Sequence, residues 1–433
     1  MTTTLPRRRL LEGLLMIGAA GCAPSQTRAA EGDRPEAPDG AWQRVRDEFA
    51  LSPAWIHMTG FLLASHPRPV REAIEALRRQ LDENPVDALH EHDDTSPVRE
   101  AAAAYMGVRA EEIALTDSTT MGLATLYLGL PLKAGDEILT TVHDHYSTQE
   151  SLRLAAERTG ASIRKITLYD RASAATAAGM AEAIAKALTP ATRVVAITWV
   201  HSSSGVKTPV RAIADAVAAA NQGRTPEERI LVCVDGVHGF GVDDVTMADL
   251  GCDFFAAGCH KWIFGPRGTG VLWGKAELWP RLRPSIPHFG EEGYKAWMRA
   301  QPAPPTNANM MSPGGFHSFE HRWALPAAFA FHRRIGKDKV AERIHALNRR
   351  CKEGLAGMKH VTLHTPLDDG ISAGLVCFEI AGMTPVAVVA RLREKKIIAS
   401  TAPYATSYVR VAPSLVTSEA DVEAVLREVR ALA

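Results

Sequence analysis

The sequence lacks several features that would place a protein in a specialised class. Its 433 residues carry 49 basic and 49 acidic side chains, and this zero net charge gives no reason to expect nucleic acid or an acidic surface as a partner. Beyond the N-terminal segment, no apolar run is long enough to span a membrane. The six cysteines have the spacing of neither a metal site nor a disulfide framework. No internal repeat or low-complexity segment follows residue 40. The length and the hydrophobic fraction of 46% instead predict a large core divided between two domains.

Residues 1–30 differ from the rest of the chain. Three arginines and two leucines (residues 7–11) precede an apolar run at residues 14–20, a pattern that resembles a twin-arginine export signal. Such a signal carries folded proteins to the cell envelope, whereas a disordered basic tail is the alternative interpretation. The run ends in Ala19-Ala20-Gly21-Cys22, which resembles a lipobox and leaves open whether Cys22 is lipid-anchored. We predict a tether and N-terminal segment over residues 31–54.

The rest of the chain changes its pattern once, near Pro326. Before this point strand-like runs, at residues 113–116, 137–142, 162–168 and 193–200, alternate with helical segments such as 69–84, 96–107 and 210–220. This alternation predicts an α/β fold with a mainly parallel sheet and helices on both faces. After it come long helical stretches, three short strands and a final helix at 418–432. We therefore predict a large domain over residues 55–325 and a smaller α+β domain over residues 326–433.

Two buried strands of the large domain each deliver an ionisable group at the C-terminal end, where α/β sheets bind their ligands. The apolar run 230–234 ends in Asp235, and a second run near Ala257 is followed by His260-Lys261 and a glycine-rich turn. Alone, Asp235 is more often a turn residue and His-Lys a surface dipeptide. Together they suit pyridoxal 5'-phosphate, because a lysine amine forms a Schiff base with the cofactor aldehyde and an aspartate keeps the pyridine nitrogen protonated.

These motifs resemble those of the class V aminotransferases, which are fold type I pyridoxal-phosphate enzymes. Asp235-Gly236-Val237-His238 is similar to the Asp-Gly-Ala-His/Gln motif of that family, and residues 259–262 (CHKW) are similar to its His-Lys motif, most closely in the isopenicillin-N-epimerase-like branch. The resemblance runs from about Trp55 to the C-terminus. It implies a homodimer with a large cofactor-binding domain and a small C-terminal domain.

A strand-to-helix turn with hydroxyl side chains predicts the cofactor's phosphate cradle. Ser118, Thr119 and Thr120 stand where backbone N–H groups and the positive end of a helix dipole bind phosphate. An ordinary helix cap is the alternative. The resemblance assigns all three residues to the phosphate, with Thr119 and Thr120 the firmer pair, and it adds His260 as a further contact. Many family members carry a serine where Gly258 stands, so one phosphate contact is missing or replaced.

The resemblance also implies the groups around the cofactor ring. His145 matches the aromatic residue that stacks on the pyridine face, with Tyr146 as the alternative. Ser202 falls where the family often has an asparagine near the ring hydroxyl, and His238 is a second candidate for that hydroxyl. Arg410, in a segment similar to the family's C-terminal motif, is expected to hold the substrate carboxylate, a task that suits a guanidinium fork.

One segment departs from the family pattern. Many members have a Gly-Thr sequence near residues 312–325 that reaches the phosphate in the partner subunit, whereas this chain has Gly314-Gly315 and then Glu320-His321-Arg322. Whether the segment lines a neighbouring site is left open.

We expect an exported, homodimeric enzyme that acts at the α-carbon of an amino acid. Lys261 would carry the cofactor and act as general base, leading to transamination or to epimerisation. Epimerisation requires a second acid or base, for which His145, Tyr146 and His321 are unranked candidates. A cysteine desulfurase is disfavoured because residues 395–410 contain no cysteine. A C–S lyase remains an alternative, as does a non-catalytic exported binding protein on the same fold.

Overall fold

A computed structural model describes residues 38–433. The predicted export signal, Cys22 and all of the tether before residue 38 lie outside these residues. Within the described part of the chain, none of the helices combines the length and the apolar character that a membrane crossing requires.

The strands form three sheets. In chain order they are β1 (Ile56–His57), β2 (Ile113–Thr116), β3 (Glu137–Thr141), β4 (Ser162–Ile166), β5 (Thr192–Thr198), β6 (Leu231–Asp235), β7 (Phe254–Gly258), β8 (Gly270–Gly274), β9 (Val361–Leu363), β10 (Val376–Ile380), β11 (Ile397–Ile398), β12 (Ser400–Thr401) and β13 (Val409–Val411).

The large sheet has the strand order β2-β8-β7-β6-β5-β3-β4. Neighbours from β7 through β4 are parallel, while β8 is antiparallel to both β7 and β2. The prediction of a mainly parallel sheet is confirmed. Strands β2, β5, β6, β7 and β8 are buried almost throughout, which explains their continuous apolar sequences. Because β2 runs in the same direction as β7, the residues that follow β2, β3, β5, β6 and β7 meet at one edge.

Helices cover this sheet and build the small domain. In chain order they are α1 (Pro38–Asp47), α2 (Arg68–Glu83), α3 (Pro85–Glu91), α4 (Ser96–Met106), α5 (Thr119–Gly129), α6 (Tyr146–Thr159), α7 (Ala177–Ala187), α8 (Val210–Ala220), α9 (Met247–Leu250), α10 (Glu291–Met298), α11 (Phe319–Ile335), α12 (Lys337–Ala356), α13 (Pro385–Glu394) and α14 (Glu419–Arg430).

The predicted domain boundary at residue 326 falls inside α11. This helix packs against α2 and α4 of the large domain and ends at Gly336, whose φ of 101° separates it from α12. A left-handed φ is costly for residues other than glycine, and this glycine breaks what the sequence pattern presents as one helical stretch. The helices on the two sides of the predicted boundary therefore separate at Gly336, ten residues beyond the predicted position.

The small domain is an antiparallel sheet, β12-β13-β10-β9, with α12, α13 and α14 packed on it. The strand β1 also belongs here, because it pairs in parallel with β11, and Met58 is buried in the core of this domain. Strand β13 carries Arg410 to the junction with the large domain.

Candidate active site

Asp235 is the last residue of β6 and is buried. Its Oδ1 accepts the Val237 N–H at 3.2 Å, and its Oδ2 accepts the Thr148 hydroxyl at 3.3 Å. Burial raises the pKa of Asp235 to about 6, while the bond from Val237 and the charge of Lys261 oppose the shift. A carboxylate held this way, at the carboxyl edge of the sheet, favours a cationic partner that compensates for its lost hydration.

Lys261 lies in a tight turn after β7. The Cys259 N–H donates to the Thr269 carbonyl at 2.9 Å, and the Gly265 N–H closes the turn on the Cys259 carbonyl at 2.8 Å. Phe264 within this turn has a φ of 56°, a left-handed conformation that aromatic residues rarely adopt. Burial lowers the pKa of Lys261 to about 8, against the opposing charge of Asp235. A larger fraction of this amine is therefore neutral near pH 7 than at an exposed lysine.

His238 links the two groups. The Trp262 indole N–H donates to His238 Nδ1 at 3.4 Å, and His238 Nε2 lies 3.5 Å from Lys261 Nζ. An indole nitrogen only donates, so in a neutral His238 the proton resides on Nε2 and points at the lysine amine. Burial and the charge of Lys261 hold the pKa of His238 well below its usual range, which keeps this imidazole neutral.

The predicted phosphate cradle begins helix α5. Ser118 caps the helix, and its Oγ accepts the Met121 N–H at 3.1 Å. Thr119 is buried, and its Oγ1 accepts the Gly258 N–H at 2.7 Å, which ties the cradle to the end of β7. Thr120 is exposed in the first turn. All three residues lie at one helix N-terminus, as the motif predicts, although two of the hydroxyls already accept backbone N–H groups.

His260 occupies the space that a side chain at position 258 would need. A Cβ added to Gly258 would lie 2.9 Å from His260 Cε1 and 3.1 Å from Thr119 Oγ1. The His260 Nδ1 is buried and has no hydrogen-bond partner among the described residues. An unpaired buried polar atom beside a helix N-terminus is the kind of group that an anionic ligand satisfies. With Gly258 in place of the family's serine, the unpaired imidazole nitrogen of His260 is a polar group still available to the phosphate at this position.

His145 is the N-cap of α6, and its Nδ1 accepts the Ser147 N–H at 3.2 Å. Its neighbour Asp144 is buried and anchors the loop, because its carboxylate accepts the Thr141 N–H at 2.8 Å and the Thr198 N–H at 2.7 Å. Burial lowers the pKa of His145, and the charges of Lys261 and Arg410 add to the shift. Tyr146, the alternative for ring stacking, is 70% exposed.

Arg410 and Ser202 join the two domains at the site. Arg410 is buried, and its Nη1 donates to the Ser202 carbonyl at 3.0 Å, while its Nη2 donates to the Thr401 carbonyl at 2.9 Å. The guanidinium also lies 4.8 Å from the centre of the Phe61 ring. Each terminal nitrogen has two N–H groups, and these bonds leave one on each for a carboxylate. The Ser202 hydroxyl lies 2.6 Å from the Tyr404 hydroxyl.

Arg322 lies beside the chain's own cradle. Its Nη2 donates to Asp117 Oδ1 at 2.9 Å, and His317 Nδ1 lies 3.3 Å from Asp117 Oδ2. The Ser312 hydroxyl accepts the Leu115 N–H at 2.9 Å. The segment 312–325 therefore holds the strand and turn that precede Ser118.

Sequence reasoning missed three residues of this site: Thr148, Asp144 and Tyr404. Asp144 stands inside the His-Asp-His-Tyr motif and was detectable as a buried loop anchor. Thr148 contacts a residue 87 positions away, and Tyr404 one 202 positions away, so no local pattern identifies them.

The side chains at this edge of the sheet together indicate which ligand the site binds. A buried carboxylate, a lysine with a lowered pKa, a helix N-terminus with an unpaired imidazole nitrogen and a half-saturated arginine meet at one edge of an α/β sheet. This set fits pyridoxal 5'-phosphate at three points, the ring nitrogen, the aldehyde carbon and the phosphate, and it leaves the arginine for the carboxylate of an amino acid substrate. The fold and the site together define a fold type I enzyme that depends on pyridoxal 5'-phosphate.

Comparison with known proteins agrees with this class. The family model for aminotransferase class V matches residues 64–425, and the chain belongs to that family. The sequence is 26% identical to isopenicillin N epimerase of Amycolatopsis lactamdurans over 356 residues, covering 80% of this chain and 86% of the epimerase. It is 27% identical to a probable cysteine desulfurase of Xylella fastidiosa over 326 residues, covering 71% of this chain and 73% of the desulfurase.

Solved structures resemble the fold over nearly their whole length. The complex between the cystine C–S lyase C-DES and its reaction product cysteine persulfide has a TM-score of 0.77 at 23% identity, covering 87% of this chain and 97% of the lyase. The apo cysteine desulfurase from Thermococcus onnurineus NA1 has a TM-score of 0.76 at 22% identity, covering 90% of this chain and 97% of the desulfurase.

Proposed function

We propose that this enzyme removes the α-proton of an amino acid with Lys261 as general base, leading to transamination or epimerisation. The observation that carries the proposal is the Lys261 amine. It is buried, its pKa is lowered to about 8, and the protonated Nε2 of a neutral His238 points at its lone pair. A general base works best when its pKa lies near the operating pH.

The other side chains bind and orient the substrate. Arg410 offers one N–H from each terminal nitrogen to the α-carboxylate, and its bonds to Ser202 and Thr401 fix the plane of the fork. A carboxylate held at two points fixes the direction of the Cα–H bond relative to Lys261. Asp235 supplies the negative charge that keeps the cofactor ring protonated. The bound cofactor supplies an electron sink for the α-carbon.

A C–S lyase is the second candidate. The epimerase and the probable desulfurase are similarly distant in sequence, and the cystine C–S lyase shares the fold. A persulfide-forming desulfurase needs a reactive cysteine. The described cysteines, however, are buried, and burial raises the pKa of Cys259, the one nearest Lys261 in sequence, which disfavours its thiolate. A lyase that needs no cysteine of its own remains compatible with the site.

An amino-acid panel in deuterated water tests the proposal, with and without an added keto acid. α-Proton exchange without keto acid supports base catalysis, and dependence of product on keto acid assigns transamination. Pyruvate, ammonia and cysteine persulfide released from cystine would assign the lyase instead, with the persulfide detected as sulfide after an added thiol reduces it. Lys261→Ala is the control, and it must abolish exchange and borohydride-stable attachment of the cofactor. Lack of exchange with every amino acid, despite a normal cofactor absorbance band, would support the non-catalytic binding protein.

We also propose that the chain is a homodimer. Three large aromatic side chains are exposed: Phe316 at 88%, Trp297 at 74% and Tyr146 at 70%. Exposed aromatic groups of this size are typical of protein interfaces. Sedimentation equilibrium tests the assembly, and a monomer at micromolar concentration would contradict it. Export to the cell envelope, with or without a lipid on Cys22, is a further proposal that depends on residues 1–30.

A further inference from the structure

Epimerisation requires a proton donor other than Lys261, and three candidates from the sequence can be compared. His145 uses Nδ1 as an acceptor for Ser147, which leaves its Nε2. Tyr146, the first residue of α6, is 70% exposed. His321 lies with Nδ1 2.7 Å from the Arg267 carbonyl and near the His66 ring. Neither Tyr146 nor His321 has a described contact with Ser202 or Arg410, the residues that join the two domains at the site.

Tyr404 is the phenol that reaches the site. It lies in the loop between β12 and β13, and this loop is closed by the Ala402 N–H donating to the Tyr408 carbonyl at 2.8 Å. Its hydroxyl lies 2.6 Å from the Ser202 hydroxyl, and its ring packs edge-on to His145 at 6.0 Å between ring centres. This loop joins β12 to β13, and Arg410 lies on β13, so the phenol and the predicted carboxylate anchor belong to the same hairpin.

The contacts of Tyr404 and Lys261 do not overlap. The Lys261 amine contacts His238, whereas the Tyr404 side chain contacts Ser202 and His145. Two proton-transferring groups that are held by different neighbouring residues can act on opposite faces of the same α-carbon. A base that stays on one side of the α-carbon returns the proton to the face from which it took it.

We propose that Tyr404 is the second proton donor of this site and that the enzyme epimerises or racemises an amino acid. Lys261 takes the α-proton, and the bonding electron pair stays with the α-carbon. The Tyr404 O–H bond then breaks, its proton forms the new Cα–H bond, and the phenolate keeps the oxygen electron pair. Ser202 stabilises the phenolate by donating its hydroxyl hydrogen. Water returns one proton to Tyr404 and takes one from Lys261, which balances the cycle.

The electrostatics agree with a donor role. Burial raises the pKa of Tyr404 to about 12, and the nearby charge of Asp235 adds to the increase. Ser202 and Arg410 act in the opposite direction by stabilising the phenolate. The phenol is therefore protonated at neutral pH and has two groups ready to stabilise its conjugate base.

The inference rests on the proposed α-proton chemistry, and its test separates the two. The holoenzyme is compared with Tyr404→Phe. Tyr408→Phe serves as the matched control, because Tyr408 lies in the same loop as Tyr404 but its ring stacks on His364 and not on a residue of the site. Exchange of the α-proton for deuterium is measured for the L and D forms of the most reactive amino acid in the panel. We expect Tyr404→Phe to slow exchange of one enantiomer by about 10²- to 10⁴-fold, the usual contribution of a general acid or base. The other enantiomer should exchange at close to the wild-type rate.

A second readout does not depend on turnover. Tyrosines labelled with carbon-13 at Cζ give one NMR signal each, and the Tyr404 signal is the one lost in Tyr404→Phe. Addition of 2-aminoisobutyrate, which has no α-proton to lose, should shift this signal and leave the Tyr408 signal unchanged.

The outcomes are distinct. Equal slowing of both enantiomers would make Tyr404 a positioning residue for Arg410 and overturn the donor role. A wild-type enzyme that exchanges one enantiomer alone would also overturn it, while leaving the α-proton chemistry intact. An unshifted Tyr404 signal would remove the phenol from the substrate's surroundings. Absence of exchange with any amino acid would instead contradict the proposed function.

Discussion

Lys261 Nζ lies 3.5 Å from Nε2 of His238, whose other ring nitrogen accepts the Trp262 indole N–H. The indole thus selects the tautomer that points a proton at the lysine amine. A donor stabilises a neutral amine and opposes its protonation. This arrangement works in the same direction as burial, which lowers the pKa of Lys261 to about 8.

We predict that His238→Phe shifts the pH dependence of α-proton exchange. The neutral form of Lys261 increases as the pH rises through about 8, so exchange by the wild-type enzyme should rise over this range. Without the imidazole donor, the amine gains proton affinity, and the rising limb should move upward by roughly one pH unit. The measurement is the pH profile of exchange, since lower stability alone does not move its midpoint. An unmoved profile would contradict the assigned tautomer.

Asp235→Asn should stabilise the cofactor-free protein and weaken cofactor binding. The pKa of Asp235 is raised to about 6 in the folded state, so its favourable contribution is complete below the unfolded pKa near 4 and is lost as the pH rises through about 6. At pH 8 the variant avoids burying this charge, which should increase the free energy of unfolding by up to about 3 kcal/mol. Urea unfolding at pH 8 and pH 4 measures the difference, and a gain at pH 4 alone would refute this explanation. Cofactor affinity, measured by dialysis, should fall.

Replacing Arg410 should reduce substrate use while cofactor binding is retained. Loss of a charge-assisted bidentate contact is expected to lower kcat/KM by about 30- to 1000-fold, or about 2–4 kcal/mol, with part of the loss in kcat. Arg410→Lys keeps the charge but loses the fork, and Arg410→Ala loses both. Steady-state kinetics beside an absorbance spectrum distinguish the effects. Near-normal kcat/KM in the alanine variant would mean that another group holds the carboxylate.

Arg322→Ala should have the reverse effect of the Arg410 variants: it should weaken cofactor binding and leave substrate binding nearly unchanged. Arg322 pairs with Asp117 immediately before Ser118, so its loss should loosen the phosphate cradle. Breaking a partly buried charged hydrogen bond costs about 1–3 kcal/mol, and we expect weaker cofactor binding with little change in substrate KM at saturating cofactor. Equilibrium dialysis and kinetics at high cofactor concentration test this. A raised KM with unchanged cofactor affinity would assign Arg322 to the substrate.

Export is tested on residues 1–30. Replacing Arg7 and Arg8 together with lysine should retain the protein in the cytoplasm, because paired arginines define the twin-arginine route. Cell fractionation measures the distribution, and labelling with a fatty acid tests Cys22 separately. Secretion that is unchanged in the lysine variant would indicate a different route.

The sequence by itself determined the parallel sheet and the pair Asp235 and Lys261. Buried parallel strands have continuous apolar sequences, and the residues that follow their carboxyl ends lie at the same edge of the sheet. The helix start predicted as a phosphate cradle was equally visible, because a strand, a turn and a helix start are all local in sequence. The predicted domain boundary falls inside α11, since the helical period continues through Gly336 and only the tertiary structure shows that α11 packs on α2 and α4.

Only the tertiary structure decided how the remaining residues are used. Arg410 reaches Ser202 across 208 positions, Tyr404 reaches Ser202 across 202, and Arg322 reaches Asp117 across 205. Each contact joins two segments, and the hydrophobic pattern of each segment predicts its secondary structure without reference to the other segment. Local propensity therefore carries no information about which partner a side chain finds. The packing of the small domain against the carboxyl edge of the sheet selects the partners, because it alone brings Arg410 and Tyr404 to Ser202.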